Sequence, residues 1–416
     1  MSRIERAGFG NRRRAWGLAL VLACGLPLAA TAQQTVYWRS ETGSGLWWNG
    51  TSPKPWWYST WGNEQERPDL TWRTANDLVF DNNNQTSHDV NGNDWYYVRT
   101  LTLASGASSA RTFSRTGSAG IDMRGSGTRK IENNSSGSHV FNVPVSLVDG
   151  TTEFNPVNGN LTFNADVYLA NNWINVYGNN QKILYLNGVV NANSGNGGLA
   201  VKQDSIVVVT NNNAFTGGIW VEKGTVQLAN HTNALGLDAT LNVGTNATLD
   251  FQGSGTLWPS AINLYGTGTN ATMGALRKTT AGALTLRRAA VALGASSRIV
   301  VTGGGLTLYS NIVAGANTLY LTNTVNVTMS GGEMTGTATA GDGALRKSGS
   351  ADFELRPGAG LTGSIFLDQG AIRQSTGNGS VLPSGGLLVL SNSTTYRSDS
   401  TTARTNAKAV RIDGDV

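Results

Sequence analysis

The side chains able to do chemistry are thinly spread along this 416-residue chain. Carboxylates run from Asp149, Glu153, Asp166, Asp204 and Glu222 through Asp238, Asp250, Glu333 and Asp342 to Asp352, Glu354 and Asp368, with no Asp-Asp or Asp-x-Asp pair among them. A glycosidase needs two carboxylates across one cleft, and a pectate-type lyase needs an Asp cluster for calcium with a base beside it. The spacing assembles neither set, so these acids read as residues of solvent-facing turns. The nearest approach to a calcium loop, Asp81-Asn82-Asn83-Asn84-Gln85-Thr86, lacks the sixth-position Gly and the closing Glu that would specify one. His88, His139 and His231 are far apart in sequence, and none has a metal-ligand neighbour four residues on. No Gly-x-Ser-x-Gly stands between a strand and a helix, and no Gly-rich phosphate loop opens a helix. The expectation is a chain with no catalytic residue, no metal site and no cofactor.

Aromatic rings are the other candidates. Trp38, Trp47, Trp48, Trp56, Trp57, Trp61 and Trp72 are seven of the chain's twelve tryptophans, and Pro53, Pro55 and Pro68 lie among them. Two readings of this segment stand side by side. Residues 33–75 form a Trp-packed N-terminal cap, because a stack of strands needs an end that presents no naked edge. Alternatively the rings form a platform for sugars, with Trp47, Trp48, Trp56 and Trp57 as the glycan-contact candidates, since flat rings suit flat ligand faces.

The elements that must carry these residues are short strands. Residues 205–210 and 218–228 are rich in Val, Ile and Leu, the second run is broken by a turn at Lys223-Gly224, and Asn and Gly mark every corner. Further strands are expected at Leu78-Val79-Phe80, at Tyr96-Tyr97-Val98 with Leu101-Thr102-Leu103, and in short runs through 140–186. The Asn clusters Asn82-Asn83-Asn84, Asn171-Asn172, Asn179-Asn180 and Asn211-Asn212-Asn213 are expected to turn corners in the left-handed region and to stack their amides on the next turn. No stretch after the N-terminal segment has helical periodicity, so the fold is expected to be all-β.

A unit of this kind cannot bury its apolar face alone and must stack on others like it. The sequence supplies them. An offset of 146 carries Leu199, Val207, Val209, Ile219, Val221, Gly224 and Val226 onto Leu345, Phe353, Leu355, Ile365, Leu367, Gly370 and Ile372 without a gap. Gly274-Ala275-Leu276-Arg277-Lys278 recurs 69 residues later as Gly343-Ala344-Leu345-Arg346-Lys347. Repeat copies therefore lie near 197–236, 274–310 and 343–386.

The run Asn213-Ala214-Phe215-Thr216-Gly217-Gly218, with Val221, Gly224-Thr225-Val226-Gln227-Leu228 and Ala234-Leu235-Gly236, resembles the autotransporter-associated β-strand repeat. The copy at 343–386 departs from it at Leu361, Ser364 and Ala371, and the copy opening at 274 lacks the Thr-Gly-Gly corner. The resemblance implies a secreted, right-handed parallel β-helix of the passenger or adhesin type. At about 23 residues per turn, residues 76–416 would make about 15 turns, a rod about 70 Å long.

At the N-terminus, Arg3, Arg6 and Arg12-Arg13-Arg14 precede an apolar run at 15–30 and the small residues Ala30-Thr31-Ala32. That order reads as a signal peptide over residues 1–32, cleaved between Ala32 and Gln33. Its loss removes five Arg and one Glu, a net +4 of the chain's +5, so the basic balance is no sign of a nucleic-acid partner. It also removes Cys24, the only cysteine, which leaves no disulfide or thiol chemistry. No later segment is long and apolar enough to be a transmembrane helix. The chain stops at Val416 within an apparent strand, so a missing C-terminal export or anchoring region is expected. The function these features indicate is that of a non-enzymatic rod, exported to the cell surface or beyond, whose partners are surface glycans or other cell-surface material. A carbohydrate-active β-helix enzyme, lyase or glycoside hydrolase, is the alternative.

Overall fold

The computed structural model describes the strands Thr35–Trp38 and Trp56–Tyr58 by backbone alone, and most of residues 76–414. Residues 1–34, 39–55, 59–75, 82–86, 92–94, 193–194, 230–233, 375–381, 399–405 and a few further loop positions lie outside the described residues. The described part is all-β, with no helix, and its parallel strands stack as a β-solenoid of about 13 turns.

Alternation builds each strand. Trp95–Leu103 points Tyr96, Val98, Leu101 and Leu103 inward and leaves Trp95, Tyr97 and Thr102 half-buried on the outside. Leu161-Thr162-Phe163, Leu284-Thr285-Leu286 and Leu306-Thr307-Leu308 repeat the pattern in three residues: apolar in, threonine out, apolar in. β-branched and aromatic residues suit this half-buried wall, and parallel pairing places each inward residue on its counterpart one turn away.

Three strand segments make a turn. One face runs through Ile174, Leu199, Ile219, Leu241, Ile262, Val291, Ile312 and Met334, each paired in register with the next. A second runs through Val207, Val226, Leu249, Leu276, Ile299, Leu321, Lys347, Leu367, Leu390 and Ile412. The third face is built early by strands such as Gly120–Met123, Val145–Leu147 and Val167–Tyr168. From Gly255–Leu257 onward its place in the turn is taken by a separate seven-stranded sheet that ends at Thr394–Ser398. One buried cluster extends from Leu78 to Leu388. Aromatic residues fill its early turns: the rings of Phe113, Phe141 and Phe163 stack in sequence at 4.6 and 4.8 Å, and Phe154 closes on Phe163 at 4.6 Å.

The expected break at Lys223-Gly224 is a corner within one long strand, Gly218–Leu228, which leaves one face and enters the next. Gly224 has φ +88°, and a Cβ there would meet the Ser205 carbonyl oxygen at 2.4 Å, so only glycine fits. The expected Asn corners work differently. Positive φ outside glycine occurs, among the described residues, at Ala170, Gln181, Asp238, Arg288 and Ser393, and at no asparagine. Asn172 and Asn213 instead hydrogen-bond to backbone groups, Asn172 to the Leu147 carbonyl at 2.7 Å and Asn213 to the Val190 N–H at 2.7 Å. An amide ladder does exist, at Asn142, Asn164 and Asn187, with steps of 3.0 and 2.9 Å.

Both 146-residue copies point Leu199 and Leu345, Ile219 and Ile365, and Val221 and Leu367 into the core. They do so on different faces. Ile219 lies in the first column and Ile365 in the second, so the offset corresponds to six turns and one further face. The rod has about 13 turns, and turn length varies from 19 residues between Val207 and Val226 to 30 between Leu101 and Ile131.

At the other end, Thr35–Trp38 pairs parallel with Asn76–Phe80, and Trp56–Tyr58 pairs antiparallel with Thr35–Trp38, so the ladder continues into the Trp-rich segment.

Candidate functional site

On the outside of the second face, strand register aligns Arg298, Tyr320, Arg346 and Phe366 in one column and Thr322 and Ser348 in the next. Two turn residues close the sides. Asp342 sits between Gly341 and Gly343, both at positive φ, and a Cβ on Gly343 would strike the Ser364 carbonyl oxygen at 2.5 Å, which fixes the corner that aims this acid. Asp368 directly follows the strand Ile365–Leu367. Together Arg298, Tyr320, Thr322, Asp342, Arg346, Ser348 and Asp368 line a groove of about 280 Å³.

The Arg346 guanidinium is the centre of this groove. Its Nε donates to Asp368 at 2.6 Å, its Nη2 reaches the other oxygen of Asp368 at 3.3 Å, and its Nη1 donates to Asp342. The Tyr320 hydroxyl donates to the second oxygen of Asp342 at 2.7 Å. Thr322 and Ser348 share a hydrogen bond of 2.9 Å, and the guanidinium of Arg298 lies over the Tyr320 ring at 5.6 Å. The Tyr320 hydroxyl, with Arg346 next in weight, holds the Asp342 carboxyl below the usual range. Asp368 and then Asp342 push the Arg346 guanidinium up, while the bond to Asp342 raises the Tyr320 phenol. Two carboxylates thus meet on one cation, a pairing the linear spacing did not disclose. A general acid needs a carboxyl raised toward neutrality, whereas Asp342 is held ionised.

Raised carboxyls occur elsewhere. Burial pushes up Asp122, against the Arg124 ion pair at 2.8 Å, and the charge of Asp149 adds to the shift. Burial also raises Asp250, opposed by its bond from Gln252 and by Arg277 and Lys278.

The histidines are distant in sequence, yet two of them meet Arg111 inside the rod. His88 Nε2 lies 2.8 Å from the Arg111 guanidinium, and His139 Nδ1 accepts from the Arg111 backbone N–H at 3.2 Å. With Nδ1 accepting, neutral His139 carries its proton on Nε2, which faces the Ser135 hydroxyl at 2.6 Å. Burial, with the Arg111 charge second, brings His139 down to about 4, and burial brings Arg111 down to about 10. His231 lies outside the described residues.

Two lysines were missed altogether. Lys278 and Lys347, last in the two Gly-Ala-Leu-Arg-Lys copies, are fully buried and point inward. Lys278 donates to the Thr280 hydroxyl at 2.9 Å, and Lys347 to the carbonyls of Gly349 and Gln369 at 2.7 and 3.0 Å. The signal was present: in Leu-Arg-Lys, strand alternation puts lysine on the side of leucine.

Of the glycan-contact candidates, Trp47 and Trp48 lie outside the described residues, while Trp56 and Trp57 stand opposite Trp38 and Tyr37 on paired strands. Ala32 lies outside the described residues, as does Gln33. Among the described residues no group of three or more His, Cys, Asp or Glu is placed to hold a metal ion, and no helix is long and apolar enough to cross a membrane. Comparison with family models, with curated proteins and with solved structures finds no match to the chain.

Proposed function

We propose that this chain is the rod of an exported surface protein, a non-catalytic stalk of the adhesin or autotransporter-passenger kind. The observation that carries the reading is the parallel strand pairing that continues from turn to turn around one core, which makes length and stiffness the main products of the sequence. At the spacing of paired strands, about 13 turns make a rod about 60 Å long. The basic and apolar order of residues 1–32 supports export with cleavage between Ala32 and Gln33. The strands of the Trp-rich segment extend the ladder and support residues 33–75 as its cap, and the repeat resemblance favours a right-handed winding. Expression in a Gram-negative host with the native N-terminus tests the proposal. Recovery at the surface or in the medium with Gln33 first, and rods of that length in electron micrographs, would support it. Retention inside the cell with residues 1–32 attached would refute export.

The carbohydrate-active alternative has one observation in its favour, the raised Asp122 with the acid Asp149 in electrostatic reach. Turnover of any polysaccharide, abolished by Asp122→Asn or Asp342→Asn, would replace the stalk reading with the enzymatic one.

A further inference from the structure

The groove around Arg346 has properties that a stalk does not require. We propose that it is a binding site for a neutral, hydroxyl-rich saccharide. The inference stands on the groove alone: a rod that was never exported would still carry it.

Charge balance decides the ligand class. Arg298 and Arg346 face Asp342 and Asp368, so the lining is neutral overall, and both acids are already engaged on Arg346. An anionic polymer would have to displace a carboxylate from that guanidinium, and a cation would have to compete with it. Polyanion binding relies on an excess of cationic side chains, which this groove lacks. A neutral polyol has no such conflict.

Hydrogen-bonding capacity decides the chemistry. Each carboxylate oxygen accepts more than one bond, and the mutually bonded hydroxyls of Thr322 and Ser348 keep acceptor capacity of their own. Charged acceptors facing a groove make strong bonds to sugar hydroxyls, and the planar guanidinium-carboxylate array offers neighbouring positions that match vicinal diols. Tyr320 and Phe366, each with an arginine over its ring, add aromatic surface to the same column. The carboxylates are held by the arginine and the arginine by two carboxylates, with Arg346 and Tyr320 on paired strands, so little side-chain freedom remains to be lost on binding. The volume suits one or two sugar rings.

The test is calorimetric titration of the folded protein with short neutral oligosaccharides of β-1,4-glucan, β-1,3-glucan, xylan and mannan, with oligogalacturonate and inorganic phosphate as charged comparators. At least one neutral series should bind with one site per chain and with little dependence on salt. Asp368→Asn, which keeps the shape and removes the charge, and Ser348→Phe, which fills the groove and leaves the ion pairs, should each weaken binding at least about tenfold. Circular dichroism and thermal melting check that each variant is folded. If Asp368→Asn loosens the fold, Ser348→Phe alone decides. Absence of binding across the neutral series would overturn the proposal, as would binding unchanged in Ser348→Phe, or binding of the charged probes alone with a steep loss in salt.

Discussion

The Lys347 ammonium lies inside the wall of the solenoid and donates to the Gln369 carbonyl on the following turn at 3.0 Å, tying two turns together at a corner. In its column it stands between Leu321 and Leu367, an aliphatic stack interrupted by one charge. Burial pushes its pKa down from 10.5 to about 8. Lys347→Met keeps the stem and leaves the carbonyls of Gly349 and Gln369 without their donor, at a cost of about 1–3 kcal/mol. A pH signature separates this from simple repacking. Between about 8 and 10.5 the folded lysine is neutral while the unfolded one is still protonated, so the unfolded state binds more protons and wild-type stability rises with pH. Urea unfolding across that window should show the rise in wild type and its loss in the variant.

His139 titrates in the opposite range. Its folded pKa, about 4, lies below the ordinary 6.5, so on acidification the unfolded state takes up the proton first. Its contribution is fully present above pH 6.5 and is lost as pH falls toward 4, by about 3 kcal/mol in all. Protonation must occur at Nδ1, the atom that accepts from the Arg111 N–H. Urea midpoints at pH 7, 5.5 and 4 should fall in that order. In His139→Gln the part of the slope between 6.5 and 4 that belongs to this residue should vanish.

Val221 is fully buried between Val201 and Val243, whereas its neighbour Trp220 is 48% exposed. Val221→Asp should cost about 3–5 kcal/mol, the penalty of an uncompensated buried charge, and Trp220→Ser about 1 kcal/mol or less. A strand slipped by one residue would exchange the two results, so equilibrium unfolding of the pair measures register directly.

Two glycines at positive φ separate conformational strain from crowding. Gly224→Ala meets both, with a carbonyl oxygen 2.4 Å from the new methyl, and should cost more than the about 1–3 kcal/mol assigned to strained backbone. Gly315→Ala, at φ +58° with nothing within 4 Å, should cost only about 1–2 kcal/mol. Thermal melting of both variants against wild type supplies the comparison.

The sequence by itself determined the local rules of this protein. Alternating apolar residues at positions such as Leu199, Ile219 and Val221 specified strands with one buried side, because side-chain direction in a strand has period two. Gly224 specified a corner because a side chain there has no room. Recurrence at fixed offsets specified stacking, since no single turn can bury its own face. What the sequence did not contain was which residue lies above which. Turns of 19 to 30 residues make vertical neighbours a matter of how much chain each loop absorbs, and no constant period predicts them. Hence the 146-residue copies look equivalent and occupy different faces. His88 and His139 look isolated, yet both meet Arg111, and Asp342 and Asp368 look like separate turn acids, yet they share Arg346. These groups came together only when hydrogen bonding between turns fixed the register, because parallel pairing depends on the path of the intervening loops as well as on the strands themselves.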